Sequence, residues 1–91
     1  MKKCYIISFD LKNPGINHEQ VTNTIKTAKN WAKLTSTSYL IVTEKTAAEI
    51  RDILIKALKT SDKIYIGQLD KSAAWLGMGV DISNWIRNNQ K

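Results

Sequence analysis

Cysteine, proline and histidine are nearly absent from this sequence, with one of each among 91 residues. A single cysteine excludes an intramolecular disulfide, and one cysteine with one histidine excludes a Cys/His zinc set. One proline and four glycines exclude a collagen-like or Pro/Gly-rich low-complexity chain. There is no glycine-rich loop to cradle a phosphate and no Gly-x-Ser-x-Gly turn, so nucleotide-dependent and serine-hydrolase chemistry lack their usual frame. No apolar run approaches the roughly 20 residues of a membrane span. Met1-Lys2-Lys3 followed by Cys4 to Phe9 imitates a secretory leader only faintly, because the run is short and Asp10 ends it. The expectation is a cytoplasmic protein with no membrane partner.

What is present describes one small folded unit. Hydrophobic residues make up 43% and charged residues 24%, an ordinary globular balance. The length predicts a single domain over residues 1–91, with a core over 1–70 and a C-terminal extension over 71–91. A chain this short buries only about two-thirds or less of its unfolded surface, so association with a second copy would add needed burial. Lys and Arg number 14 against 8 acids, a net charge of +6. That excess points to an anionic partner, with nucleic acid first.

Residues 3–11 read as a strand with Tyr5, Ile7 and Phe9 on one face and Cys4, Ile6 and Ser8 on the other. Both faces are fairly apolar, which suits a central strand covered on two sides. Lys12-Asn13-Pro14-Gly15 is a turn. A first helix is predicted over 18–33, capped by Asn17, with Val21, Ile25, Ala28 and Ala32 buried and Lys26, Lys29 and Lys33 along another face. The end of that helix is ambiguous. It can extend to Leu34, or a strand can begin near Trp31; a short edge strand over 33–36 is favoured. Residues 38–44 form a strand of β-branched and aromatic residues.

Thr46 to Glu49 is a capping box opening a second helix, whose apolar face is Ile50, Ile53, Leu54, Ala57 and Leu58. Asp52 and Lys56 are spaced to pair along it. Residues 62–70 form the last strand, with Tyr65 expected to pack in the sheet beside Tyr5 and Tyr39. Gly77 and Gly79 loosen the chain before a final helix over 81–89, with Ile82, Trp85 and Ile86 inward and residues 88–91 fraying. The order β-α-β-β-α-β-α predicts an α+β, ferredoxin-like βαββαβ sandwich with an extra C-terminal helix. Two helices on one sheet face leave the other apolar face to be covered by the C-terminal segment, by a second subunit, or by both.

Three segments together resemble a known family. They are Phe9-Asp10-Leu11 at a strand end, Ser38-Tyr39-Leu40-Ile41-Val42 running into the capping box, and Asp62-Lys63-Ile64-Tyr65-Ile66 leading to Leu69. Over residues 3–70 they look like the small ferredoxin-like CRISPR-associated adaptation and endonuclease dimers and their stand-alone relatives, which include the virulence-associated protein D-like proteins. Ala74-Trp75-Leu76-Gly77 and Ser83-Asn84-Trp85 look more like a stand-alone subgroup. The resemblance implies a nucleic-acid-binding homodimer, with metal-dependent nuclease activity in some members and DNA scaffolding in others. Only Asp10 matches the catalytic position.

Asp10 is therefore the candidate catalytic and metal-ligating residue, with Mg²⁺ as the candidate cofactor. One carboxylate cannot hold a six-coordinate ion that wants oxygen ligands, so two copies of Asp10 would have to meet across a twofold axis. The alternative is an aspartate that binds the amides of the following turn. Lys12, Lys26, Lys29, Lys33 and Lys63 are candidate phosphate contacts, or simply solvated charges. Trp31, Trp75 and Trp85 suit core or interface packing before base stacking. His18 suits a surface role before that of a general base. A second functional class stays open: a non-enzymatic module that binds a protein partner in bacterial defence, phage counter-defence or a toxin–antitoxin pair.

Overall fold

The structure is a computed structural model that describes residues 1–90. Lys91, the last residue of the predicted fraying tail, lies outside the described residues. The elements in chain order are β1 (Lys3–Asp10), α1 (Pro14–Lys26), β2 (Asn30–Thr35), β3 (Ser38–Thr43), α2 (Ala47–Leu54), β4 (Lys63–Gln68) and α3 (Gly79–Asn89). A 3₁₀ turn, Ile55–Ala57, extends α2.

The four strands form one antiparallel sheet in the order β2-β3-β1-β4. The chain is a small α+β unit, as the alternation of strand and helix patterns predicts. Alternate residues of each strand point to opposite faces. Tyr5, Ile7 and Phe9 of β1 join Tyr39 and Ile41 of β3 under Val21 and Ile25 of α1 and Ile50 and Leu54 of α2. Ala32, Leu40 and Ile86 form a smaller cluster on the other face, ringed by half-buried Ile6, Leu34, Leu69, Trp75, Ile82 and Trp85. The C-terminal helix thus packs on its own sheet. Among the described residues no helix is long and apolar enough to cross a membrane.

The first helix is shifted from its predicted span. Pro14 lies in its first turn, where a missing N–H costs nothing, so α1 starts there rather than after Asn17. It ends at Lys26, with the Thr24 and Thr27 hydroxyls turned back onto the carbonyls of Gln20 and Thr24. Lys29 then takes a left-handed conformation, φ 70°, and the chain reverses into β2 at Asn30. The edge strand is consequently longer than expected and begins at Asn30. Ala32 moves with it to the second sheet face.

The second helix keeps its predicted capping box. The Thr46 hydroxyl accepts from the Glu49 N–H, and the Glu49 carboxylate accepts from the Thr46 N–H. The tightening after Leu54 takes Lys56 out of register with Asp52, and Asp52 pairs with its neighbour Arg51 at 3.1 Å instead.

Polar side chains anchor α3. Trp85 Nε1 donates to Asn30 Oδ1 at 2.9 Å, and Asn30 Nδ2 donates to Asn89 Oδ1 at 2.8 Å. Asn89 Nδ2 donates to the Trp85 carbonyl, and Gln90 Nε2 to the Asp70 carbonyl. These bonds hold the helix regular to Asn89, past the point where fraying is expected.

Candidate nucleic-acid interface

α3 and the segment before it cover β2, β3 and the Cys4–Ile6 end of β1, and leave open the half of that sheet face that runs from Ser8 and Tyr65 to Asp10 and Lys63. Register places the residues of that open half in rows. Asp10 of β1 stands opposite Lys63 of β4 and Ser8 opposite Tyr65; half-buried Ile6, opposite Gly67, borders this open half. On the other side of β1, Ser8 faces Ser38 of β3. Directly opposed residues of antiparallel strands have Cα atoms only about 4.5–5.5 Å apart, so Asp10, Lys63, Ser8 and Tyr65 form one compact surface. Asp10, Ser8, Lys63 and Tyr65 are all exposed.

Tyr65 does not pack in the sheet as Tyr5 and Tyr39 do; it is 67% exposed, against 2% and 1% for those two. Its ring leans along the strand over Gly67. A Cβ added at Gly67 would sit 2.9 Å from Tyr65 Cε2, so the glycine makes room for the ring. A tyrosine two residues before a glycine inside a strand is the sequence signal for this arrangement.

The turn-binding role open to Asp10 is taken by a different aspartate. Asp62 Oδ1 accepts from the Lys12 N–H at 2.9 Å, and Oδ2 accepts from the Lys59 N–H at 2.8 Å and from Asn17 Nδ2 at 2.9 Å. Asn17 is 2% exposed and also donates to the Ala57 carbonyl at 2.8 Å. It is a buried bridge between α1 and the 3₁₀ turn, not the cap of α1. The hydrogen bonds from Asn17, Lys59 and Lys12 hold the Asp62 carboxyl below the usual carboxylate range. Sequence reading misses this junction because Asn17 and Asp62 are far apart in the chain and each fits a local capping or turn role.

The candidate lysines do not share one helix face. Lys12 and Lys63 flank Asp10 at one end of the sheet. Lys26 closes α1 at the other end, with Nζ 5.0 Å from the centroid of the Trp31 ring, a cation–π distance. Lys29 sits in the reversal after α1, and Lys33 lies on β2 opposite Tyr39. The predicted stripe is broken because α1 ends where the three lysines would have lined up. The two ion pairs among the described residues, Met1 with Glu44 and Arg51 with Asp52, use none of these lysines.

Other candidates are absorbed by packing. The Trp75 and Trp85 indole N–H groups donate to Ser83 Oγ and Asn30 Oδ1. His18 Nε2 lies 2.7 Å from the Ser36 carbonyl; a carbonyl only accepts, so this nitrogen carries the proton. The ring also packs 5.8 Å from Phe9, which makes His18 a link between α1 and the β2–β3 turn. Burial pushes the Cys4 thiol up, away from the reactive thiolate.

No group of three or more His, Cys, Asp or Glu side chains among the described residues could hold a metal ion. Mg²⁺ takes six oxygens and is commonly held through one or two carboxylates, the rest coming from water and substrate phosphates; on this surface one chain brings the single carboxylate of Asp10. No family model and no curated protein matches this sequence.

Proposed function

We propose that this chain is a cytoplasmic, ferredoxin-like protein that binds nucleic acid as a homodimer, akin to the small CRISPR-associated dimers and their stand-alone relatives. The observation that carries this reading is the open half-sheet. α3 covers one half of the second face and leaves Asp10, Ser8, Lys63 and Tyr65 exposed on the other. The antiparallel order β2-β3-β1-β4, with both α1 and α2 on one face, supports the ferredoxin-like assignment.

A second copy laid on the open half would bury Tyr65, the large exposed aromatic of that surface. It would bring two Asp10 residues near a common axis, flanked by Lys12 and Lys63 of each copy. Lysines at that rim attract phosphates without reading sequence. The endonuclease reading depends on this pairing. It is favoured by one further observation, that Asp62 and not Asp10 binds the Lys12 amide of the turn.

The tests are sedimentation for the dimer and binding of short DNA and RNA at increasing salt. A dimer that dissociates on Tyr65→Ser, and an affinity that falls steeply with salt and further on Lys63→Ala, are expected. A monomer at all concentrations, or no binding at low salt, refutes the proposal. Cleavage that needs Mg²⁺ or Mn²⁺ and disappears in Asp10→Ala supports catalysis. Binding without cleavage leaves a non-catalytic nucleic-acid dimer, and copurification of a stoichiometric protein partner in place of nucleic acid favours the interaction-module reading.

A further inference from the structure

The helix-covered face has its own opening, at the end away from Asn17. The Asn17 bonds to Ala57 and Asp62 tie the start of α1 to the end of α2. Where α1 ends and α2 begins, a cleft of about 160 Å³ lies between them. Its floor is aliphatic, formed by Ile7, Ile25, Ile41 and Ile50. Ile53, 40% exposed, forms a wall, and Lys29 and Lys45 stand at the lining. An apolar cavity of about 150 Å³ accommodates a benzene-sized body.

The two lysines are held by their backbones. The Lys45 carbonyl accepts from the Tyr5 hydroxyl at 2.8 Å, and its N–H donates to Thr43 Oγ1. Lys29 follows α1 with φ 70°, a conformation that glycine adopts more readily. Neither lysine is in an ion pair among the described residues. We propose that this cleft binds a small organic anion, with a compact apolar body on the isoleucine floor and a carboxylate between Lys29 and Lys45. This site is separate from the open half-sheet, and its test is independent of nucleic-acid binding.

The probes are benzoate and hexanoate, with benzyl alcohol and hexanol as uncharged counterparts. The readouts are isoleucine methyl resonances and the melting temperature of the full chain. Millimolar benzoate or hexanoate is expected to shift the methyls of Ile25, Ile41 and Ile50 and to raise the melting temperature. The alcohols are expected to bind roughly tenfold more weakly, the loss of two partly solvated charge contacts.

Ala28→Leu fills the cleft from the end of α1 and should abolish the shifts. Lys29→Gly combined with Lys45→Gln keeps the floor, relaxes the left-handed position, and should weaken the acids to the level of the alcohols. The proposal is overturned if the acids move no cleft methyl, if the alcohols bind as tightly as the acids, or if a folded Ala28→Leu or the lysine double variant binds the acids like wild type.

Discussion

The two faces of the sheet are built to different standards. Under α1 and α2 the side chains are aliphatic or aromatic and nearly all buried, with Ile7 and Val21 fully inaccessible and Leu54 at 1%. On the α3 side the buried cluster is Ala32, Leu40 and Ile86, with small Cys4 buried on the same face, and the tryptophans around the cluster are half-buried. Hydrogen bonds through Asn30 and Asn89 supply there what apolar contact supplies on the other face. The lesson is a division of labour. A closed face holds the fold, and a face closed over only half its area can present side chains to a partner without disturbing the main core.

The largest expected effect tests that contrast directly. Leu54→Ala should cost about 2–5 kcal/mol, as a large deletion in a close-packed core does. Ile86→Ala, in the thin second cluster, should cost about 2 kcal/mol, the low end of that range, because its half-exposed neighbours can collapse inward. Urea midpoints of the two variants check this, and equal costs would mean the faces are equally well packed.

Asn17→Ala comes next, at about 1–3 kcal/mol, since it leaves the buried Ala57 carbonyl without its donor and removes a bond to Asp62. The same junction gives a pH dependence. The folded-state pKa of Asp62 is depressed, so its contribution is fully present above the unfolded carboxyl value and is lost as pH falls through the folded one. Stability should therefore decline below about pH 4, the ordinary Asp range. In Asp62→Asn that acid-side decline should be shallower; unchanged steepness in urea titrations at several acidic pH values would remove Asp62 from the account.

Thr46→Ala removes the hydroxyl half of the capping box and should cost about 1 kcal/mol in thermal unfolding. Smallest is Asp10→Ala. Asp10 is exposed and does not bind the turn amide of Lys12, so its loss should change stability by no more than about 0.5 kcal/mol. A larger loss would mean that the open half-sheet is a structural surface after all.

Periodicity made much of the architecture legible. The alternation of Tyr5, Ile7 and Phe9, the β-branched run after Ser38 and the Thr46–Glu49 box are local patterns, and each element lies where its pattern puts it. The end of α1 was not legible, because Ala28 and Lys29 are acceptable helix residues and nothing local marks the left-handed turn there. Asp10 was legible only as one of two alternatives. Its freedom from the turn depends on Asp62 arriving from fifty residues away.

Strand and helix order, the two-sided burial of β1 and the need to cover a second face are consequences of residue pattern, since hydrophobic spacing acts within a few residues of chain. Which half of that face stays open, which aspartate binds the turn, and where the lysines lie relative to Asp10 depend on contacts between distant segments. Those contacts follow from how α3 and the 3₁₀ turn dock, and docking depends on shape and hydrogen-bond partners that no local pattern carries.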